Sequence, residues 1–165
     1  MRSAGHRNTA VNMVRRKVYL SYIPQNKELK DLEAKQPKIT PFLMFEGRAE
    51  EAMNYYISVF DKSEIVSMLK YEAGGPGPEG NVMNASFKLG DQMFMCSDSF
   101  VKHAFTFTPS ISHFVTCETE AEIERAYEML SKSGSVLMPL GEYPFSRKFG
   151  WVQDQFGVSW QLSLA

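Results

Sequence analysis

Two stretches of this chain repeat one plan, and that duplication constrains the fold more than any other feature. The first is Pro41-Phe-Leu-Met-Phe-Glu-Gly47, followed by Arg48–Phe60. The second is His113-Phe-Val-Thr-Cys-Glu-Thr119, followed by Glu120–Leu130. Each reads as a short apolar strand, a tight entry and an amphipathic helix, and each precedes three more strand-like runs. A β-α-β-β-β unit used twice predicts an α+β fold. Two modules of curved, mixed sheet should enclose a cleft, with matching positions of each half facing one site.

The expected organisation has four parts. Residues 1–37 are a basic extension and linker, 38–98 the first module, 99–110 a Phe-rich connector, and 111–165 the second module. Residues 1–30 carry seven basic side chains against one acidic, a net +6; the remainder carries 11 against 18, a net −7. The basic segment reads as a non-core extension rather than a nucleic-acid arm, so no nucleic-acid partner is expected. No run of about 18 apolar residues is present, so no membrane span is expected. The two cysteines, Cys96 and Cys117, have no metal or redox spacing, and a cytoplasmic location is the simple reading.

In the first module Ile39–Phe45 is the opening strand. Ala49, Ala52, Met53, Tyr56, Ile57 and Phe60 then form one helical stripe. Glu64–Glu72, Asn81–Leu89 and Gln92–Ser97 follow as strands, with the Gly/Pro loop 73–80 between the first two. In the second module Ile111–Cys117 is a strand. Thr119 and Glu122 predict a capping box, Ile123, Ala126, Tyr127 and Leu130 a buried stripe, and Gly134 the helix stop. Val136–Leu140, Lys148–Gln153 and Val158–Leu164 complete the module, the last two joined through Asp154-Gln-Phe-Gly157.

Three runs carry a family resemblance: Phe42-Leu-Met-Phe-Glu-Gly with Ala49-Glu-Glu-Ala-Met-Asn-Tyr-Tyr56, Tyr143-Pro-Phe-Ser with Phe149-Gly-Trp151, and Asp154-Gln-Phe-Gly-Val-Ser-Trp-Gln161. Together they resemble the PhnB-like branch of the vicinal oxygen chelate superfamily, which includes glyoxalase I, bleomycin-resistance proteins, fosfomycin-resistance enzymes and extradiol dioxygenases. The same domain carries a 3-demethylubiquinone methyltransferase label. The resemblance spans about residues 38–165. It implies paired β-α-β-β-β modules assembled as a homodimer. Metal-dependent members place four ligands on the first and last strands of each module, and strand-by-strand alignment puts those slots at Thr40, Cys96, Ser112 and Gln161.

Thr, Cys, Ser and Gln do not supply the imidazole and carboxylate field of a glyoxalase-type site, so neither a metal nor a cofactor is expected. His113 neighbours the Ser112 slot but alternates to the opposite face. The period of two puts Phe42, Met44, Phe114 and Thr116 on the cleft face with Thr40 and Ser112. Ser159, Gln161 and Ser163 share that face on the last strand, while Trp160 and Leu162 pack beneath the helices. Trp151 and Lys148 are assigned to the rim. A buried Gln161 needs partners, in a ligand or in Thr40 or Ser112. No catalytic base is evident.

The expected function is therefore metal-free binding of an aromatic or flat organic molecule by a homodimer. The alternative is a metal-dependent lyase, isomerase or dioxygenase. The methyltransferase label ranks last, because Glu46-Gly47 and Glu118-Thr119 lack the Gly-rich turn of an adenosyl-donor site.

Overall fold

The computed structural model describes residues 37–165, of which Ile39–Ala165 form one compact unit. Residues 1–36 of the expected basic extension and linker lie outside the described residues. The element order is β1 (Phe42–Phe45), α1 (Ala49–Val59), β2 (Glu64–Lys70), β3 (Val82–Leu89), β4 (Gln92–Asp98), β5 (His113–Cys117), α2 (Glu120–Ser131), β6 (Ser135–Tyr143), β7 (Ser146–Gln153) and β8 (Ser159–Leu164). They form two four-stranded sheets of identical plan, ordered β1-β4-β3-β2 and β5-β8-β7-β6. The first strand of each module runs parallel to the fourth, and the other pairs are antiparallel. This is the duplicated α+β architecture expected from the sequence.

Alternation sorts each sheet into two faces. Leu43 and Phe45 of β1, Ala85 and Phe87 of β3, and Phe94 and Cys96 of β4 are buried on the helix side. They meet Ala49, Ala52, Met53 and Tyr56 of α1. In the second module Val152, Trp160, Leu162 and Leu164 meet Ile123, Ala126 and Leu130 of α2. Burying each large side chain contributes about 1.5–3 kcal/mol, so this doubled layer dominates the stability of the fold. The modules share the core: Trp160 of β8 lies 5.1 Å, centroid to centroid, from both Tyr56 and Phe60.

Two buried carboxylates fix the chain ends of these elements. Asp98 Oδ1 accepts from Ala49 N at 2.9 Å and Oδ2 from Val82 N at 3.0 Å, tying the start of α1 to β3. It does for α1 what a capping side chain would do, because Arg48 at the N-cap makes no such bond. Asp154 Oδ1 accepts from Phe156 N and Val158 N, and Oδ2 accepts from Trp160 Nε1 at 2.8 Å. In α2 the Thr119 hydroxyl accepts from Glu122 N, as expected; the Glu122 carboxylate reaches Glu118 N.

The hairpin between β6 and β7 is tighter than the sequence suggests. Residues 141–146 read as a turn, yet β6 continues to Tyr143 and only Pro144 and Phe145 turn the chain. β6 is an edge strand with register shifts. That tolerates Pro139, which has no N–H to offer a neighbour.

Gly134 also acts differently from its expected part as a left-handed helix stop. Ser133 takes the positive φ, +60°. Gly134 is needed because a Cβ there would stand 2.2 Å from the Gln153 carbonyl oxygen. Gly134→Ala should therefore lower stability by about 1–3 kcal/mol, while Ser133→Gly should stay within about 1 kcal/mol of the parent. Urea denaturation of both variants checks this, and an unchanged midpoint for Gly134→Ala would contradict it.

Candidate functional site

The faces turned away from the helices carry the candidate site. In the first module Phe42 pairs with Met95, and Met44 with Ser97, along the parallel β1–β4 ladder. In the second, Phe114 pairs with Gln161 and Thr116 with Ser163 along β5–β8. On the other side of β8, Trp151 is directly opposite Gln161 and Phe149 opposite Ser163. Gln161 thus lies between two aromatic residues on one sheet face. Phe42 and Phe114 remain 51% and 61% exposed, which marks these faces as open in the single chain.

The polar groups on the second face are hydrogen-bonded in a definite pattern. Gln161 Nε2 donates to Ser112 Oγ at 2.6 Å. Trp151 Nε1 donates to Ser159 Oγ at 2.8 Å, so its N–H is used within the sheet. Ser146 Oγ lies 2.9 Å from Ser163 Oγ and shares its one proton between the Lys148 and Leu164 carbonyl oxygens, at 2.8 and 2.9 Å. Tyr143, Phe145 and Phe149 form an aromatic cluster at the hairpin end, with Phe145 5.5 Å from Tyr143 and 5.2 Å from Phe149. Sequence reasoning did not single out Phe149, although its alternation with Trp151 was a usable signal.

Two expected site residues lie elsewhere. Cys96 is fully buried on the helix side of β4. The β1–β4 register gives Met95 as the counterpart of Gln161, since Phe42 pairs with Met95 as Phe114 pairs with Gln161. The error was one residue, and in a strand one residue reverses the face. Matching Phe94 with Trp160, the large aromatics beneath the helices, would have given the right register. Lys148 is the second correction. It pairs with Leu164 on the helix side of β7 and forms ion pairs with Glu120 and Glu124 of α2. Its charge is directed to α2 rather than to the cleft, and the Glu124 carboxylate raises its pKa.

Two grooves open beside these faces. One, of about 460 Å³, lies between β1, the connector and the β7–β8 turn, and takes Phe42, Met44, His103, Phe105 and Phe156 into its walls. The other, of about 820 Å³, runs along β5 and includes Ser112, His113, Phe114 and Thr116 with Asp61, Asp91 and Glu122. The candidates are thus divided within one chain. Phe42 and Met44 border one opening, Ser112 and Phe114 the other, and Trp151 and Gln161 line neither. Thr40 precedes β1 and is half-buried.

The titratable groups near these surfaces are held in their neutral or structural states. Burial pushes the Cys96 thiol up to about 12, helped by Asp98, and burial likewise pushes Cys117 to about 12. Neither offers a thiolate at neutral pH. Burial also raises the Asp154 carboxyl, against the hydrogen bonds that hold its charged form. The Tyr56 hydroxyl, which no hydrogen bond of normal geometry reaches, lies close enough to Asp154 for each to feel the other. Its pKa is raised, first by burial and then by that carboxylate. His113 turns to the helix side, as alternation predicts. Its ring lies 4.9 Å from Phe94 of the first module and 4.9 Å from Trp160 of the second.

The donor set does not fit a glyoxalase-type metal. The four corrected slots hold two hydroxyls, a thioether and an amide, at Thr40, Ser112, Met95 and Gln161. Among the described residues no three His, Cys, Asp or Glu side chains come together as a possible metal site. An adenosyl donor fits no better at the strand-to-helix turns. The first N–H of α1 is taken by Asp98, and the entry to α2 is closed by its own capping carboxylate. A backbone anion site needs those groups free.

The family model described as 3-demethylubiquinone-9 3-methyltransferase matches residues 37–163. The chain belongs to this family, the PhnB-like branch of the vicinal oxygen chelate superfamily. Among solved structures, a PhnB protein from Bacillus cereus with the same methyltransferase description is 62% identical. The match covers 78% of this chain and 100% of that one, with a TM-score of 0.77. A protein from Pseudomonas aeruginosa is 29% identical over 78% of this chain and 98% of its own, with a TM-score of 0.68. The fosfomycin resistance protein FosX from Mesorhizobium loti, 11% identical over 79% and 92% with a TM-score of 0.50, shares the fold alone. None of the curated proteins matches the chain. No helix among the described residues is long and apolar enough to cross a membrane.

The place of His113 between Phe94 of the first module and Trp160 of the second leads to a prediction about pH. Burial lowers the pKa of His113 below that of a free imidazole. The unfolded chain then binds the extra proton first, so the contribution of neutral His113 is complete above about pH 6.5 and is lost as the pH falls through the lowered value. Urea midpoints measured at about pH 7.5 and about pH 5.5 should fall less on acidification for His113→Phe than for the parent. Equal losses would show that the contact of His113 with Phe94 and Trp160 is indifferent to protonation.

Proposed function

We propose that this chain is a small-molecule-binding member of the PhnB-like branch that acts as a homodimer, without a metal, on an aromatic or otherwise flat organic ligand. The observation that carries the reading is the open sheet face. Large exposed rings stand beside short hydroxyl and amide groups, a pattern that supplies contact area and orientation together. The donor set at the four slots supports metal-free binding. Phe42 and Phe114 open on the edge strands β1 and β5, and both are residues that a soluble monomer would gain by covering. A second copy that brings the first face of one chain against the second face of the other would close both sites. The cytoplasmic location belongs to this proposal.

Light scattering should give about twice 18.8 kDa at micromolar concentration, and Phe114→Glu should shift the mass toward one chain. Parent protein purified without chelator should carry well under one equivalent of zinc, nickel, iron or manganese. A full equivalent that disappears in Gln161→Ala would move the reading to the metal-dependent enzyme. Trp151→Ala should weaken ligand binding roughly tenfold or more while costing stability far less. A collapse of the thermal midpoint, with no aromatic compound shifting the melting of the parent, would make Trp151 a core residue and end the pocket reading.

A further inference from the structure

The hydrogen-bond inventory around Gln161 narrows the ligand class. Gln161 Nε2 donates to Ser112 Oγ. Ser112 Oγ is therefore an acceptor in that bond, and among the described residues its own O–H has no other acceptor. Gln161 Oε1 has no partner among the described residues and remains an acceptor. One donor and one acceptor thus stand side by side on the sheet face. Phe114 flanks Gln161 from β5, and Trp151 flanks it from β7. Two strand spacings separate the backbones that carry them by about 9–10 Å, room for a flat ring to enter edge-first.

Charge on the same module argues against an anion. Lys148 is committed to Glu120 and Glu124, and Arg147 lies 3.9 Å from Glu120. The Trp151 N–H is committed to Ser159. What the face offers is neutral and directional.

We propose that the face between Phe114 and Trp151 receives an uncharged aromatic carbonyl compound bearing an N–H beside the carbonyl, as in a fused aromatic lactam. The carbonyl takes the Ser112 O–H, and the lactam N–H donates to Gln161 Oε1. The ring lies between the two aromatic side chains. This assignment rests on the binding function proposed above and specifies its ligand.

Four probes of similar size test it on the full-length protein by calorimetry: isoquinolin-1-one, its N-methyl derivative, 1-naphthoate and naphthalene. The lactam should bind at least about fivefold more tightly than each of the others, the ratio expected for one directional hydrogen bond. Ser112→Ala should remove most of the lactam's advantage over naphthalene. Naphthoate binding as tightly as the lactam would overturn the neutral class and leave the pocket standing. Equal binding of all four would overturn the directional bonds and likewise leave the pocket standing. Failure of all four at millimolar concentration would overturn this assignment, while a melting shift with any other aromatic compound would leave the binding function standing.

Discussion

Trp160 is the side chain on which the two modules meet. It belongs to β8 yet packs against Tyr56 and Phe60 of the first module, and against His113, whose other side touches Phe94. Its indole N–H is held by Asp154, whose other oxygen closes the β7–β8 turn. A buried aromatic of this size stabilises by area, and its hydrogen bond fixes orientation. The last hairpin is thereby locked to the first helix, and the arrangement of both sheets follows.

That lock has a consequence for the site. Because the helix-side faces of both sheets are consumed in one shared core, the opposite faces point away from it, and the edge strands β1 and β5 leave Phe42 and Phe114 open there. Phe42 and Phe114 are exposed for this reason rather than through poor packing. The fold keeps its apolar packing on one side and leaves a second, mixed surface on the other. The polar groups there are arranged rather than scattered: the Gln161–Ser112 bond and the Trp151–Ser159 bond both run between residues of one face.

Buried ionisable groups in this chain serve architecture. Asp98 and Asp154 each satisfy backbone N–H groups at the start of an element, and Cys96 and Cys117 are held as thiols by burial. A superfamily fold that elsewhere presents metal ligands here presents hydroxyl, thioether and amide groups at the matching slots. Scaffold and slots draw on opposite faces of the same strands, so the slot residues can differ while the core is kept.

The sequence by itself determined the element order, the duplication and most strand faces. Those depend on periods of two and 3.6 that are written locally, as in Phe42-Leu-Met-Phe45 and the α1 stripe. It also determined the residue types at Thr40, Ser112 and Gln161, none of which carries an imidazole or a carboxylate. The tertiary structure decided what depends on register and on distant partners. Cys96 fell to the core and Met95 to the open face because a one-residue shift on β4 reverses the side. Lys148 turned to α2 because Glu120 and Glu124, more than twenty residues earlier, stand beneath its strand. Gly134 proved necessary through a carbonyl at Gln153, and Gln161 chose Ser112 across a parallel ladder. No local pattern encodes such pairings; they exist only once the strands lie side by side.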